Sequence, residues 1–138
     1  MRILADTNVI IDYMMLRDTF GADAGKIIEA CQEGTVQGAI AAHSVTDIFY
    51  ILRKEFSLAE RRPMLLDLFE IFHVEGIGIH KLKRALQNEN FSDFEDCLQT
   101  ECALSFGADY IVTRDKKGFS FSPIPCVTPA QFCELAML

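Results

Sequence analysis

Four aspartates stand at positions where α/β proteins gather ligand-binding groups. Asp6 follows a short apolar run, and Asp115 follows a run of β-branched and aromatic residues. Asp47 and Asp96 fall in the first turns of two predicted helices. The carboxyl ends of parallel strands, and the helix starts beside them, meet at one edge of a sheet. We therefore expect the four carboxylates to lie close together although they are distant in sequence.

Clustered carboxylates of this kind bind hard divalent cations. Mg²⁺ and Mn²⁺ prefer oxygen ligands, and Mg²⁺ keeps several waters while taking few carboxylates. Such ions can activate a water and stabilise the leaving oxygen when a phosphodiester is hydrolysed. We predict that Asp6, Asp96 and Asp115 hold the metal, and that Asp93 is either a supplementary ligand or a helix-start residue. Without metal, the cluster repels itself and some of its carboxyl pKa values rise.

Polar and basic neighbours accompany these acids. Thr7 and Asn8 directly follow the first aspartate, and Thr113 ends the strand before the last one, so we expect all three to support the ligands. Asp47 also has a structural alternative, because Ser44 and Asp47 have capping-box spacing and a helix dipole favours an acid there. The cations predicted to position a phosphate backbone are Arg114, Lys116 and Lys117.

Other polar and aromatic residues receive structural roles. The three histidines are not spaced as a ligand set or with a nucleophile, and among them His43 is the candidate for a substrate contact. Phe119 and Phe121 are expected to pack against the protein, with base stacking as the alternative. Three early aspartates are expected to be ordinary solvated residues: Asp12, Asp18 and Asp23.

Alternating strand and helix signals predict how the acids are positioned. Strands are predicted at residues 2–5, 36–42, 73–75, 109–113 and 125–127. Helices are predicted at residues 21–33, from 44 onward, at 58–72, 79–87 and 92–106, and from 128 onward. A capping box of Ser92 and Glu95 is expected to start the fifth of these helices. Strands that alternate with helices predict βαβ units, hence a parallel sheet covered on both faces.

Composition is that of a globular protein, but the charge is unusual for a nucleic-acid binder. The chain has 138 residues, of which 50% are hydrophobic and 24% charged, without repeats or linkers. These features predict one domain over residues 1–138. The formal net charge of −7 is the wrong sign for binding phosphates. Either a metal site reverses the local charge, or the partner is not nucleic acid.

Cysteine usage and hydropathy predict the compartment. The five cysteines are odd in number and form no CxxC pair, so free thiols are expected rather than disulfides or a zinc site. No stretch approaches the apolar length of a spanning helix or a secretory signal. We therefore expect a cytoplasmic protein with no membrane segment.

Five segments, in order along the chain, resemble the PIN domain family. They are ILADTNVIID (3–12), SVTDIFYIL (44–52), DFEDCLQTECA (93–103), DYIVTRD (109–115) and VTPAQF (127–132). The resemblance covers nearly the whole chain. It implies a three-layer α/β/α fold with a central, mostly parallel five-stranded sheet. It also implies an endoribonuclease that depends on Mg²⁺ or Mn²⁺.

The resemblance further assigns residues and partners. It gives the acidic roles to Asp6, Asp47, Asp96 and Asp115. The second acid is commonly glutamate in the family, so the shorter Asp47 is expected to need a bridging water. VapC-like members are toxins of toxin–antitoxin pairs, which implies an RNA substrate, an antitoxin partner and a homodimer. The acidic charge suggests that a basic segment of the partner occupies the pocket.

Two other functions remain open at this stage. A non-catalytic PIN-like binding module is expected if Asp47 does not reach the site. An α/β phosphate-signalling or phosphotransfer domain would use an aspartate nucleophile at a strand end. Asp6, Thr7 and Asn8 lack the second acid that aspartyl phosphatases of the haloacid dehalogenase type carry two residues later.

Overall fold

A parallel five-stranded sheet forms the centre of the computed structural model, which describes residues 1–138. The strands are β1 (Arg2–Ala5), β2 (Gln37–Ala41), β3 (His73–Glu75), β4 (Tyr110–Val112) and β5 (Cys126–Val127). They lie in the order β3-β2-β1-β4-β5, and every neighbouring pair is parallel. The chain adds β2 and β3 on one side of β1 and then β4 and β5 on the other. The strand order therefore reverses beside β1, where open α/β sheets bind ligands.

Seven α-helices surround this sheet. They are α1 (Thr7–Met14), α2 (Asp18–Glu33), α3 (Ala42–Ile51), α4 (Leu58–Ile71), α5 (Ile79–Gln87), α6 (Phe94–Phe106) and α7 (Pro129–Ala136). Short 3₁₀ turns cover residues 52–54 and 116–119. None of the helices combines the length and the apolar character that crossing a lipid bilayer requires.

Alternation along the strands divides the core into two layers. Ile3 and Ala5 of β1 pack with Ile40 and Val112 against the side covered by α1 to α4 and α7. Leu4, between them in sequence, packs on the opposite face with residues of α6. Because both faces are covered, the central strands β1, β2 and β4 consist of apolar or small residues after their first positions. The predicted three-layer α/β/α fold with a five-stranded parallel sheet is confirmed.

Several predicted element ends agree with the structure, and two are wrong. Helix α3 begins at Ala42 rather than at residue 44, so Ser44 and Asp47 do not form a capping box. Gly34 and Gly107 end α2 and α6 with φ angles of 82° and 73°, a backbone that favours glycine. Thr128 caps α7 in a capping box, as expected at an N-cap followed by proline. The capping box predicted for Ser92 and Glu95 does not form. Asp93 caps α6 instead, since its side chain accepts from the Asp96 N–H.

Helix α1 is the element whose bounds sequence periodicity did not predict. Its residues, TNVIIDYM, are largely β-branched or apolar, so they extend the β-like pattern of the preceding strand. Asp6 occupies the N-cap position and turns the chain from β1 directly into α1. The first predicted metal ligand is therefore fixed by two rigid elements at once.

Candidate active site

Asp6 lies at the carboxyl end of β1 and is only 7% exposed. The Thr113 hydroxyl donates to its Oδ2 at 2.7 Å, and the Thr7 N–H donates to its Oδ1 at 2.7 Å. The Asn8 side-chain amide reaches Oδ2 at 3.3 Å. All three donors are neutral. The carboxylate is therefore tightly oriented, but none of these partners balances its charge.

The electrostatic surroundings of Asp6 reflect this imbalance. Burial raises its pKa, and the hydrogen bonds from Thr113 and Thr7 oppose that rise. The negative charge of Asp115 raises the pKa further, whereas His43 lowers it. The net shift is upward, which means that the ionised form lacks a compensating cation.

Asp96, in the first turn of α6, also has a raised pKa. Burial comes first among the causes that raise its pKa to about 7, followed by the charges of Asp93, Asp6, Asp115 and Glu95. Asp93 is exposed and uses Oδ1 to accept from the Asp96 N–H at 3.0 Å. Four acids thus act on one carboxyl group, which is the situation that a bound cation relieves.

Asp115 is exposed and follows β4 within a turn that Thr113 holds. The Thr113 hydroxyl oxygen accepts from the Asp115 N–H at 3.0 Å while its hydroxyl donates to the first aspartate. Gly118 lies opposite: a methyl group built there would overlap Asp96 Oδ2 and lie 3.3 Å from Asp115 Oδ2. These two carboxylate oxygens therefore face one small space, which only a glycine leaves free.

Asp47 lies on the other wall of the site. It lines a cavity of about 570 Å³ together with Asp6 and Asp96. Its charge acts on His43, whose pKa is lowered by burial, and on Glu95, whose pKa is raised first by burial. Asp47 is not among the charges that act on Asp6 or Asp96. The structure thus places Asp47 in the same cavity but next to a different acid.

The donor set of the site is suited to a divalent cation that takes few carboxylates. No three His, Cys, Asp or Glu side chains converge closely enough to hold an ion together. Magnesium, however, is bound in many enzymes through one or two carboxylates, with waters and substrate phosphate completing the octahedron. Asp96 and Asp115 facing one space, with the buried Asp6 beside them, supply hard oxygen donors of that number. The residues present fit such an ion.

Arg114, predicted to contact a phosphate backbone, is bound within the protein. Its Nε donates to Asp12 Oδ2 at 2.5 Å and its Nη2 to Asp12 Oδ1 at 3.2 Å. The guanidinium also lies over the Phe20 ring. Asp12 is 0% exposed, so the expectation that it is a solvated residue is wrong. Its partner lies about a hundred positions away, which no local pattern reveals.

The remaining basic and aromatic candidates differ in their exposure to solvent and in their contacts. Lys116 donates to Gln131 Oε1 at 3.2 Å, and Lys117 is exposed. Phe119 is buried, as expected from packing, whereas Phe121 is 64% exposed. The cations that line the acidic cavity were not predicted: they are Arg17 and Lys54.

A buried polar network links the walls of the cavity, and it too was missed. Gln99 Nε2 donates to Ser44 Oγ at 2.8 Å and reaches Asp6 Oδ1 at 3.3 Å. The Thr7 hydroxyl donates to the same Ser44 oxygen at 2.8 Å. The available signal was Gln99 itself, a polar residue three positions after Asp96 within the apolar stripe of its helix.

Residues 2–117 match the family model described as the PIN domain. The match covers most of the chain, including β1 to β4 and all of the acidic positions described above. The chain therefore belongs to the PIN domain family.

Known proteins agree with this assignment. Ribonuclease VapC1 of Aquifex aeolicus (strain VF5) is 25% identical over 140 residues, covering 96% of this chain and 94% of that protein. The structure of VapBC2 from Rickettsia felis bound to a promoter DNA fragment matches with a TM-score of 0.63 and 16% identity, covering 93% of this chain and 98% of that one. The structure of FitAB bound to an IR36 DNA fragment matches with a TM-score of 0.68 and 15% identity, covering 92% of this chain and 94% of that one. These matches agree with the VapC-like character expected from the motifs.

Proposed function

We propose that this protein is an endoribonuclease that depends on Mg²⁺ or Mn²⁺ and acts as the toxin of a toxin–antitoxin pair. The observation that carries the proposal is the set of uncompensated carboxylates Asp6, Asp96 and Asp115 beside the switch point of the sheet. Membership of the PIN domain family supports it, as does the similarity to a protein named as a ribonuclease.

The protein's own residues would hold the metal and keep its ligands ready. Asp96 and Asp115, which face one small space, are the proposed direct ligands, with the neighbouring Asp6 as a supporting ligand. Thr113 orients both Asp6 and the turn of Asp115. A bound divalent ion supplies an activated water and stabilises the leaving oxygen of the phosphodiester. Asp96, whose pKa burial and the neighbouring acids raise to about 7, would hold such an ion in its ionised form. Asp93 orients the start of the helix that carries Asp96.

Asp47 is proposed to act from the opposite wall through a bridging water. It shares the cavity with Asp6 and Asp96 but is coupled to His43 and Glu95. Replacing it should therefore cost less activity than replacing Asp6. Equal losses at both positions would argue for direct contact with the metal.

Phosphate attraction is proposed to come from the rim of the cavity. Lys54 and Arg17 line it at one side, and Lys116 and Lys117 lie on the exposed turn after Asp115. Arg114 is proposed to support this turn rather than to contact RNA. The edge of its guanidinium binds the Asp12 carboxylate, and one face lies over the Phe20 ring.

The direct test is cleavage of single-stranded and structured RNA by the purified protein in Mn²⁺. Asp6→Asn and Asp96→Asn should each reduce the rate at least about tenfold, or roughly 1.4 kcal/mol of barrier. Asp67→Asn is the matched control, since Asp67 is exposed on α4 and remote from the cluster. Activity that survives both site substitutions would mean that the chemistry lies elsewhere.

A protein partner is proposed on charge and on neighbours. The VapBC2 and FitAB structures contain DNA-bound complexes, and this chain carries a net charge of −7. We propose that a basic segment of an antitoxin occupies the acidic cavity. The affinity of such a complex should fall as salt is raised. An affinity that is independent of salt would overturn this part of the proposal.

We also propose a homodimer in which α4 forms the interface. Helix α4 exposes Leu66 at 62% and Phe69 at 45%, which are large apolar side chains left in solvent. Leu66→Glu should shift the protein towards monomer in light scattering, whereas Glu70→Gln on the same helix should not. A monomeric wild-type protein would contradict the proposal.

A non-catalytic binding module is the second candidate, favoured by the lack of three converging ligands. It predicts RNA binding without metal-dependent cleavage in the same assay.

The compartment is proposed to be the cytoplasm, because all five cysteines are free thiols, as in reducing compartments.

A further inference from the structure

Two buried side-chain atoms in the protein lack a hydrogen-bond partner, and both belong to residues that line the acidic cavity. They are Gln99 Oε1 and His43 Nδ1. Buried polar groups are almost always satisfied in proteins, so each exception needs a cause. At the wall of a ligand site, the simplest cause is that the missing partner is part of the ligand.

The orientation of the Gln99 amide is fixed by its surroundings. Its Nε2 lies 2.8 Å from Ser44 Oγ and 3.3 Å from both Asp6 Oδ1 and Thr7 Oγ1. Turning the amide over would place Oε1 against an Asp6 carboxylate, which only accepts hydrogen bonds when ionised. Oε1 is therefore an acceptor that awaits a donor, in a side chain that is only 1% exposed.

We propose that Gln99 Oε1 accepts a hydrogen bond from the ribose 2′-hydroxyl of the nucleotide bound in the cavity, and thereby selects RNA over DNA. This inference rests on the proposed nuclease function. Every ribonucleotide carries this hydroxyl, whereas amino groups occur on some bases only. The hydroxyl both donates and accepts, and it is the group by which proteins distinguish RNA from DNA.

The second unpaired atom agrees with this assignment. His43, whose Nδ1 is buried and unpaired, lines the same cavity from the start of α3, and Nδ1 is a donor in one of the two imidazole tautomers. A carbonyl acceptor and an imidazole nitrogen together match a group that donates and accepts. Gln99 also holds Asp6, so the ribose would be recognised by the same side chain that orients a proposed metal ligand.

The test varies the sugar while the protein stays intact. A short fluorescein-labelled single strand is prepared in all-ribo, all-deoxy and all-2′-fluoro forms, and binding is measured by anisotropy in EDTA at low salt. The 2′-fluoro group lacks the hydrogen that Gln99 needs. Wild-type protein should bind the ribo form about tenfold or more tightly than the other two, because an unpaired buried acceptor penalises both.

A substitution then assigns the discrimination to one residue. Gln99→Met keeps the volume but removes the acceptor, and should reduce the ribo-to-deoxy ratio to within about threefold. Gln87→Met, at the exposed end of α5, should keep the wild-type ratio. A residue that only orients Asp6 would weaken both sugars equally, so an unchanged ratio in Gln99→Met overturns the inference. If this variant does not fold, the three sugars on wild type still decide.

Failure of this inference is distinguishable from failure of the proposed function. Wild-type protein that cleaves RNA and DNA equally in Mn²⁺ remains a nuclease but does not read the 2′-hydroxyl. Protein that cleaves neither, yet discriminates the sugars in binding, supports the recognition and overturns the nuclease.

Discussion

Asp6 caps the short helix α1 and Asp12 lies within it; both are buried, but their charges are compensated in opposite ways. Asp12 receives two hydrogen bonds from the Arg114 guanidinium, with Arg17 3.6 Å away. Asp6 receives only neutral donors and has the Asp115 charge nearby. The fold therefore supplies a cation to one aspartate and withholds it from the other. We infer that Asp12 serves the structure and Asp6 serves a ligand.

The two aspartates are nevertheless connected. Arg114 lies between Thr113 and Asp115, and its N–H approaches Asn8 Oδ1 at 3.4 Å. Asp12 thus anchors the segment that carries Asp115. The Asp12–Arg114 ion pair therefore helps to position an acidic cluster whose own charges have no compensating cation.

The largest expected effect is the loss of stability when Asp12, whose charge Arg114 neutralises, is replaced. Asp12→Ala leaves the Arg114 guanidinium half-buried without its partner, so the free energy of unfolding should fall by about 3 kcal/mol. Asp67→Ala, on exposed α4, should change it by less than about 0.5 kcal/mol. Urea denaturation measures both. A loss at Asp12 no larger than that of the control would remove the distinction between the two aspartates.

Mn²⁺ binding should have the next largest effect on stability, and this effect should depend on the aspartates that lack a compensating cation. Mn²⁺ at a hundred times its dissociation constant should stabilise the protein by about 2.7 kcal/mol, seen as a higher melting temperature. Asp96→Asn should lose most of this increase, whereas Asp67→Asn should keep it. A wild-type melting temperature that does not move across millimolar Mn²⁺ would count against the site.

The pH dependence of the metal-free protein offers a third, smaller contrast. Because the pKa of Asp96 is raised to about 7 in the folded protein, the folded state binds more protons than the unfolded chain between pH 4 and 7. Stability should therefore fall as pH rises through this range and level off above it. Since the side chain is partly solvated, we expect about 1 kcal/mol from this group. Asp96→Asn should flatten the profile; an equally steep profile in that variant would assign the titration to other groups.

The smallest effect is expected at the rim. Lys54→Ala should weaken RNA binding a few-fold at low salt and reduce the slope of log affinity against log salt by about one. Lys83→Ala is the matched control, because Lys83 is exposed on α5 and does not line the cavity. Equal losses in the two variants would show that the rim contributes only general charge.

Much of the architecture was accessible from local sequence because its signals are local. Glycine after a helix, proline at the first helical turn and β-branched runs fixed the strands and helix ends to within a few residues. The bounds of helix α1 were not predicted because its β-branched residues resemble a continuation of the preceding strand. Ser92 and Asp93 are both suitable N-cap residues by type, and in the structure the N-cap is Asp93.

The site was accessible in part, for a related reason. Acids that follow strands could be placed at one edge from topology alone, which identified Asp6, Asp96 and Asp115 as neighbours. The pairing of Asp12 with Arg114, and of Gln99 with Ser44, joins residues far apart in sequence. Such pairings depend on the packing of α1, α3 and α6 around the sheet, and a single sequence carries no direct record of them.

The most direct test of the account is a crystal structure of the protein with Mn²⁺, located by its anomalous scattering. We expect a Mn²⁺ peak between Asp96 and Asp115 and next to Asp6, with Asp12 still bound to Arg114. A protein crystallised in millimolar Mn²⁺ with no peak at these carboxylates, or with the ion held elsewhere, would contradict it.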